Sequence, residues 1–273
     1  MSQFSIEHLK VKQGDVLSLG NQNTDETFDL KKDEIKDATK KLYKRLAELH
    51  DRLYAEKKQS MLLVLQAMDA AGKDSTIGKL TKNISAHGVR AQSFGKPTKE
   101  ELAHDFLWRI HKVAPKAGEL VIFNRSHYED VLIVKVHDWA SEEEIDLRYQ
   151  QINQFESLLT DNQTKVVKIM LNISPEYQLG RFKNRLEVPG KNWKFNPGDL
   201  VERAKWNEYM QAFSSALRNC SSPDAPWYVI PAENRWFRDY AVARILVETL
   251  EAMAPVYPEP DYDAEKYTVD SIL

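Results

Sequence analysis

Residues 62–76 have the sequence LLVLQAMDAAGKDST. An apolar run from Met61 to Leu65 comes first, small residues follow at positions 70–72, and Lys73 opens a segment with helical character. Buried strands have this apolar composition, and small residues before a Gly-Lys pair are typical of a phosphate-binding loop. The stretch therefore predicts a strand, a phosphate-binding loop and a helix in direct succession.

The predicted loop supplies donors for phosphate oxygens. Backbone N–H groups at a helix N-terminus converge on one point, where the helix dipole also favours negative charge. Ala71 and Gly72 let the backbone approach a phosphate closely, and Lys73 adds a point charge that can follow a phosphoryl group. The alternative is a tight turn with a surface lysine, which the context of strand, turn and helix disfavours.

The loop departs from the usual pattern at two positions. Ala67 replaces the usual first glycine, and Asp74 follows the lysine where a Mg²⁺-binding hydroxyl is usual. We expect Ser75 and Thr76 to bind phosphate instead, together with Asp74 at the start of the helix. Asp69 offers a carboxylate that suits Mg²⁺, which takes one or two carboxylates together with phosphates and waters. The alternative for Asp69 is a residue that stabilises the turn.

Strand-like runs alternate with helical patterns along the rest of the chain. The predicted strands are Met61–Leu65, Val89–Phe94, Leu120–Phe123, Val166–Leu171 and Trp227–Ile230. The predicted helices lie near residues 73–85, 98–112, 126–137, 141–159, 174–186 and 236–253. Ser141 and Glu144 read as a capping box for one of them. Strands that alternate with helices predict a parallel sheet covered on both faces, so the expected fold class is α/β.

An amphipathic helix precedes this alternation. Apolar residues recur at spacings of three and four between Ile35 and Leu53. They predict an N-terminal helical extension over about residues 30–57. A chain of 273 residues can bury a large core, so we expect a single domain over residues 1–273.

The composition disfavours several classes of protein. A net charge of −3 argues against a general nucleic-acid binder. No apolar run approaches the length of a membrane span, and the N-terminal residues show no signal-peptide pattern. Cys220 is the one cysteine, which excludes an internal disulfide and favours a reducing compartment. We therefore expect a cytoplasmic protein with no membrane or nucleic-acid partner.

A second polar motif follows the strand predicted at Leu120–Phe123. Asn124 and Arg125 come directly after it, and in open α/β sheets ligands bind beyond the carboxyl ends of the strands. Phosphoryl-transfer enzymes often place an aspartate there to hold Mg²⁺, so Asn124 is a weaker ligand. The guanidinium of Arg125 can neutralise charge on a transferred group, whereas the alternative for Arg125 is a weak surface salt bridge. His127 is expected to be structural.

Residues 165–205 interrupt the alternation with a basic segment. It contains nine Lys or Arg and four acidic residues, and two helix breakers, Val188-Pro189-Gly190 and Asn196-Pro197-Gly198. This pattern predicts a helix, a loop and a second helix that Asp199 and Glu202 cap. Such a pair of helices is typical of a lid over a phosphate loop, here at about residues 180–200.

The first lid helix carries two arginines, Arg181 and Arg185. They are four residues apart and so lie on one helix face, where they can grip successive phosphates of a chain. The alternative is a solvated basic helix face. Trp193 and Phe195 stay open between stacking on a base and docking the lid.

Three motifs together resemble those of the family-2 polyphosphate kinases. They are QAMDAAGKD at residues 66–74, FNRSHYED at 123–130 and RFKNR at 181–185, and the segment DFLWR at 105–109 agrees with them. The resemblance extends from about residue 30 to 255. It implies a P-loop kinase fold like that of thymidylate kinase. It also implies Mg²⁺-dependent transfer between inorganic polyphosphate and nucleotides, with Mn²⁺ as an alternative ion.

The resemblance further implies roles for five residues. Asp69 would organise the metal ion, Lys73 and Arg125 would hold the reacting phosphates, and Arg181 and Arg185 would guide the polyphosphate. Members often form homotetramers, so the resemblance implies a homo-oligomer.

Position 124 indicates a subgroup within that family. Many members have aspartate there, and the Asn-Arg-Ser-His-Tyr-Glu-Asp version resembles the subgroup that phosphorylates both nucleoside monophosphates and diphosphates. Asn124 and Glu129 are then expected on the nucleotide side. The reaction implied is the reversible conversion of AMP to ADP and of ADP to ATP, with adenine or guanine nucleotides.

Two other functions stay open at this point. One is an ATP-dependent nucleoside or nucleotide kinase on the same fold, in which the phosphate loop holds ATP instead of a polymer. The other is a non-catalytic nucleotide-binding module. The basic lid favours a polymeric phosphate over ATP.

Overall fold

A parallel sheet lies at the centre of the computed structural model, which describes residues 4–262, 266 and 267. Its strands are β1 (Ser60–Ala67), β2 (Val89–Ser93), β3 (Leu120–Asn124), β4 (Thr164–Asn172) and β5 (Trp227–Pro231). They are arranged in the order β2-β3-β1-β4-β5. All five lie where the sequence predicts them. The central strands β3, β1 and β4 are largely apolar because they are covered on both faces, whereas the edge strand β2 has the partly exposed sequence VRAQS.

Helices cover both faces of this sheet, as the α/β prediction requires. In chain order they are α1 (Lys32–Glu56), α2 (Lys73–Asn83), α3 (Lys99–Leu102), α4 (Trp108–His111), α5 (Ile133–Val136), α6 (Glu142–Asp161), α7 (Pro175–Glu187), α8 (Gly198–Ala204), α9 (Trp206–Cys220) and α10 (Arg235–Met253). Short 3₁₀ turns lie at Ile6–Leu9, Leu19–Asn21, His127–Val131 and Pro189–Lys194. The capping box of Ser141 and Glu144 is present at the start of α6. Among the described residues, no helix combines the length and apolar character of a membrane span.

The core has two halves, one on each face of the sheet. Side chains alternate along β1, so Leu63 and Leu65 face the half formed with α1, α2 and α10. Leu62 and Val64 face the other half, formed with α6 and α9. The central strand is therefore buried on both sides, which fixes the position of the loop that follows it.

The helix predicted at residues 98–112 is wrong. Helix α3 ends at Leu102, and α4 begins only at Trp108. The carboxylate of Asp105 accepts a hydrogen bond of 3.0 Å from the backbone N–H of Leu107. Such a local bond stabilises a turn in competition with the helix, which the apolar periodicity alone does not reveal.

The helix predicted at residues 126–137 is wrong as well. The chain forms the 3₁₀ turn at His127–Val131 and then the single turn α5. The Ser126 hydroxyl accepts a hydrogen bond of 3.2 Å from the backbone N–H of Tyr128, which tightens the first turn. This 3₁₀ turn holds the second polar motif close to the end of β3.

The register of the sheet brings the two predicted motifs together. Leu65 of β1 pairs with Asn124 of β3, so the chain leaves both strands at the same level. The backbone N–H of Arg125 donates to the Leu65 carbonyl across 3.0 Å and continues this pairing beyond the strand. The residues after β1 and β3 therefore share one edge of the sheet, where ligands bind in open α/β folds.

Candidate active site

The phosphate loop joins β1 to α2 with left-handed backbone at two positions. Ala70 has φ +65° and Gly72 has φ +111°. At Gly72, a Cβ atom would lie 2.2 Å from Nη1 of Arg238, so both the backbone angle and the space require glycine there. The predicted loop is present, and its last residue leads directly into the first turn of α2.

Lys73 lies inside this loop. Its Nζ atom donates hydrogen bonds to the Ala67 carbonyl across 2.8 Å and to the Met68 carbonyl across 3.4 Å. Burial lowers the pKa of Lys73, although the carboxylate of Asp69 opposes that change. The ammonium is thus held by the loop itself, next to the position where phosphate is predicted.

Asp69 and Arg125 form the central ion pair of the site. Nη2 of Arg125 donates to Oδ1 of Asp69 across 2.7 Å, and its Nη1 lies 4.0 Å from Glu129. Burial opposes the charge of Arg125, but Glu129 and Asp69 outweigh it and raise the guanidinium pKa. The arginine therefore lies between two carboxylates of the site. This arrangement differs from the isolated surface salt bridge that was the alternative for Arg125.

Asn124 contacts the phosphate loop rather than standing apart from it. Its Nδ2 atom donates to Oδ1 of Asp74 across 2.8 Å. The contact joins the end of β3 to the first turn of α2. Asp74 is exposed there.

The two hydroxyls after Asp74 have different surroundings. Ser75 Oγ accepts a hydrogen bond of 2.9 Å from Arg238, which leaves its O–H free to donate. Thr76 Oγ1 is buried and has no hydrogen-bond partner among the residues that the structure describes. Ser75 can therefore still reach a phosphate oxygen, whereas the Thr76 hydroxyl is buried.

Arg238 is the main residue of the site that the sequence did not reveal. It belongs to α10 and is buried, and its Nη1 atom donates a hydrogen bond to the Ala71 carbonyl across 3.5 Å. Asp239 binds its guanidinium through Oδ1, and the same carboxylate pairs with Lys79 of α2. The buried guanidinium of Arg238 thus contacts both the phosphate loop and the first turn of α2.

Glu129 lies beside Arg125 and lines a cavity together with Met68 and Asp69 of the phosphate loop. Burial raises the pKa of its carboxyl, and the charges of Arg125 and Lys73 only partly offset this effect. Glu129 also lines the apolar cavity described below, and its place on the nucleotide side stays a prediction.

The segment predicted to act as a lid contains α7, the 3₁₀ turn at Pro189–Lys194 and α8, so the predicted succession of helix, loop and helix is confirmed. The predicted capping of its second helix by Asp199 and Glu202 is wrong, since Asn196 Oδ1 accepts the hydrogen bond of 3.0 Å from the first backbone N–H of α8, that of Gly198. Asp199 instead accepts a hydrogen bond of 2.9 Å from Arg185. Glu202 contacts Tyr209 across 2.7 Å and His137 across 2.9 Å. Both carboxylates are thus used by tertiary partners.

Arg181 shares the lid face of Arg185, as the spacing predicts. Burial lowers the pKa of Arg181, and the charges of Arg235 and Arg185 lower it further. A basic group in such surroundings is favoured by an anion that enters the site. Trp193 is exposed, so it does not dock the lid.

Gln178 joins the lid to the phosphate loop. Its Nε2 atom donates to the backbone carbonyl of Asp69 across 2.9 Å, and Arg203 of α8 donates to its Oε1 across 3.0 Å. One side chain of α7 therefore contacts both the loop and the second lid helix. The sequence offered no signal for this role, because a buried glutamine on a helix has no distinctive spacing.

Arg125 lines two large cavities and a smaller third one, which Asp69, Glu129 and Asp199 also line. The first, which we call the phosphate cavity, lies between the loop and the lid, and basic residues line it: Lys73, Arg125, Arg181, Arg185, Lys191 and Lys194. The second, which we call the apolar cavity, has a volume of about 510 Å³. Its lining includes Phe94, Leu102, Arg125, Ile133, Val134 and Trp139. A volume of this size accommodates a small organic ligand.

Asp69 fits the metal ion that the loop predicts. Mg²⁺ takes one or two carboxylates together with phosphate oxygens and waters. Asp69 lines the phosphate cavity and is partly exposed there. Within the described parts of the chain, no three His, Cys, Asp or Glu side chains are grouped to hold a metal. The donor set therefore suits an ion shared with a phosphate ligand and does not suit a closed protein cage.

Comparisons with known proteins agree with these features. The family model described as Polyphosphate kinase 2 (PPK2) matches residues 29–257. An AMP/ADP-polyphosphate phosphotransferase of Meiothermus ruber is 48% identical over 229 residues, which are 84% of this chain and 86% of that protein. An ADP-polyphosphate phosphotransferase of Rhodopseudomonas palustris is 37% identical over 270 residues, or 94% of this chain and 93% of that protein.

A solved structure is similar over nearly the whole chain. The crystal structure of Polyphosphate Kinase 2 from Arthrobacter aurescens TC1 superimposes with a TM-score of 0.91 at 42% identity. The match covers 95% of this chain and 94% of that chain. The predicted P-loop kinase fold and the family resemblance are both confirmed, and the chain is a phosphotransferase that belongs to the polyphosphate kinase 2 family.

Proposed function

We propose that this polyphosphate kinase transfers phosphoryl groups from inorganic polyphosphate to AMP and to ADP. The observation that carries this proposal is the position of Arg125, which lines both the phosphate cavity and the apolar cavity. A polyphosphate in one cavity and a nucleotide in the other would meet at this guanidinium. The names of the two relatives, which include AMP and ADP as well as polyphosphate, support both acceptors.

The phosphate cavity suits the polymer. The loop supplies converging N–H groups at the start of α2, and the lid supplies basic side chains on the opposite side. Arg181 and Arg185 present two planar forks on one face of α7, which matches a row of phosphates better than a single one.

The apolar cavity suits the nucleoside of the acceptor. Phe94, Ile133 and Trp139 offer apolar surface for a base, and Glu129 lines the end near Arg125. Arg109 lies within the same lining. An acceptor with its base in this cavity would direct its phosphates towards Arg125.

Transfer in this arrangement needs positioning and charge neutralisation more than a general base. The acceptor phosphate is already ionised at neutral pH, so no proton has to be removed before attack. Lys73 and Arg125 can neutralise the transferred phosphoryl group as its bonds change. The buried loop and the lid can exclude water, which directs the group to the nucleotide instead of to hydrolysis.

A kinase family implies a divalent metal ion in general, and we propose Mg²⁺ at Asp69, with Mn²⁺ as an alternative. The ion would neutralise charge on the phosphate oxygens that approach the loop. Asp69 is better suited to organise this ion than to accept a proton, because it already binds the guanidinium of Arg125.

We also propose the wider organisation that the sequence suggests. Residues 1–273 form a single domain, residues 180–200 act as its lid, and the protein is a cytoplasmic homotetramer. The single cysteine, Cys220, supports a reducing compartment, and it is buried without a disulfide. The family resemblance supports the tetramer.

A donor swap tests the proposed function. The protein is incubated with Mg²⁺ and polyphosphate plus AMP or ADP, and separately with ATP plus nucleosides or nucleoside monophosphates. We expect ATP from ADP, and ADP from AMP, only in the polyphosphate arms. Turnover only with ATP as donor would identify an ATP-dependent kinase, and nucleotide binding without turnover in any arm would identify a binding module.

A further inference from the structure

A buried polar cluster includes two residues that closely follow Arg125 in the chain. Its members are His127 and Tyr128 of the 3₁₀ turn, Glu156 of α6 and Lys168 of β4. None of the four residues is more than 2% exposed. Charged groups are rarely buried to this extent unless they are paired, and none of these residues reaches the two cavities described above. The cluster therefore needs a role other than contact with substrate.

The carboxylate of Glu156 is the centre of this cluster. Tyr128 donates its hydroxyl to Oε1 across 2.9 Å, and Nε2 of His127 lies 3.2 Å from the same oxygen. Lys168 pairs with Oε2 and also donates to the Tyr128 hydroxyl across 3.0 Å. One carboxylate thus holds two consecutive residues of the 3₁₀ turn, and a strand lysine holds the carboxylate.

Glu156 is ionised in this environment. Burial raises the pKa of its carboxyl, but Lys168 and His127 outweigh burial and hold the pKa below its usual value. An ionised carboxylate only accepts hydrogen bonds, so its three donors have fixed directions.

Arg125 needs such support from the residues that follow it. Its backbone has φ +63°, in the left-handed region that L-residues seldom adopt. Backbone of this kind persists only where the surroundings over-determine it. The backbone N–H of Arg125 donates to the Leu65 carbonyl. His127 and Tyr128, which Glu156 holds by hydrogen bonds, begin two positions further along the chain.

We propose that Glu156 is a positioning residue for phosphoryl transfer. Together with Lys168 it fixes the side chains of His127 and Tyr128 by hydrogen bonds. These bonds stabilise the strained backbone of Arg125, so that its guanidinium stays in contact with Asp69. Glu156 acts through Arg125 and touches neither substrate. The inference rests on the role of Arg125 in the proposed function.

Stability alone cannot test this role. A buried ion pair can often be replaced by apolar residues without loss of stability, and removal of one partner destabilises for reasons unrelated to catalysis. Glu156→Gln is the direct variant, and Tyr128→Phe is a milder one that removes a single hydroxyl from the cluster. Tyr149→Phe is the matched control, because Tyr149 packs in the same half of the core and its buried hydroxyl has no hydrogen-bond partner among the described residues.

The first measurement compares kcat for transfer from polyphosphate to ADP with thermal unfolding. We expect Tyr128→Phe and Glu156→Gln to lower kcat by ~10-fold or more, since small displacements of a catalytic group have effects of that order. We expect Tyr149→Phe to keep the kcat of the parent protein. Parent-like kcat in a folded Tyr128→Phe and Glu156→Gln would overturn the inference.

The second measurement asks whether the effect passes through Arg125. Tyr128→Phe is combined with Arg125→Lys, and we expect the double variant to be no slower than Arg125→Lys alone, because residues that act as a unit are not additive. Full additivity would show that the cluster acts independently of Arg125 and would overturn the inference.

A crystal structure of Tyr128→Phe provides an arm that does not depend on turnover. We expect the guanidinium of Arg125 to leave Asp69 in that variant, and an unchanged Arg125 would contradict the proposal. If the parent protein transfers nothing from polyphosphate, the proposed function fails, whereas the crystallographic arm still decides whether the cluster positions Arg125.

Discussion

The Asn124 side chain donates a hydrogen bond to the Asp74 carboxylate across 2.8 Å, although 50 residues separate the two in the chain. The contact links the end of β3 to the first turn of α2, so the two sequence motifs form one polar surface. A carboxylate at position 124 would face the carboxylate of Asp74.

We expect Asn124→Asp to lower the free energy of unfolding at pH 8 by about 1 kcal/mol, the scale of exposed charge interactions. Two carboxylates at hydrogen-bond distance repel each other, so the loss should shrink at pH 5 and on addition of Mg²⁺. Denaturant unfolding measures it. Asn124→Ala removes the hydrogen bond without adding charge, and its effect should depend on neither condition. Identical behaviour of the two variants would contradict the prediction.

We expect Lys73→Ala to lower the transfer rate by ~10²–10³-fold, the usual effect of losing a charged group that stabilises a transition state. The rate of ATP formation from polyphosphate and ADP measures this loss. Lys82→Ala, at the exposed end of the same helix, is the control and should leave the rate unchanged. A rate within twofold of the parent would remove Lys73 from the reaction.

We expect Arg181→Ala combined with Arg185→Ala to raise KM for polyphosphate roughly tenfold or more, since each charge-assisted hydrogen bond contributes about 1.5–3 kcal/mol. The KM should also become less sensitive to salt, because fewer ionic contacts remain. Lys183→Ala is the control, since Lys183 is exposed between the two arginines. A change confined to the KM of the nucleotide would assign the arginines to the other substrate.

We expect Arg238→Met to lower the free energy of unfolding by about 3 kcal/mol or more, because the buried carboxylate of Asp239 then keeps only Lys79, a partly exposed side chain, as its ionic partner. Arg45→Met removes exposed pairs with Glu48 and Glu251, and it should cost less than about 1 kcal/mol. Equilibrium unfolding in guanidinium chloride measures both. Equal losses would show that Arg238 stabilises the fold no more than an exposed arginine does.

Glu129 makes stability depend on pH in a defined direction. Burial raises the pKa of its carboxyl in the folded protein, so the folded state binds the proton more tightly than the unfolded state. The stability contribution is therefore present below the ordinary carboxyl pKa and is lost as pH rises through the raised value. We expect Glu129→Gln to stabilise the protein at pH 8 and to bring no gain near pH 4. Urea unfolding at both pH values measures the difference, and a gain that grows towards acid pH would reverse the sign.

The sequence predicts what local physical chemistry determines. The strands, the phosphate loop and the lid follow from apolar runs, small residues and helix breakers, each of which acts within a few residues. The breaks in the helices predicted at 98–112 and 126–137 come from Asp105 and Ser126, whose side chains bind nearby backbone in competition with the helix. Apolar periodicity does not record that competition.

Long-range partners account for the rest of what the sequence did not show. Arg238 meets Ser75 across 163 residues of chain, and Gln178 meets Asp69 across 109. Asp199 was expected to cap a helix, yet its tertiary partner Arg185 uses the same carboxylate. Such pairings depend on the complete fold, so no residue spacing along the chain predicts them.

The support of the phosphate loop by Arg238 has a consequence for synthesis on the ribosome. The loop is made within the first third of the chain, whereas α10 is the last of the helices and strands named above to emerge. A nascent chain that still lacks α10 contains the residues of the loop but not the guanidinium beneath Gly72. We therefore expect the loop to reach its final shape only near the end of translation, so that prematurely terminated chains neither trap nucleotide nor consume polyphosphate.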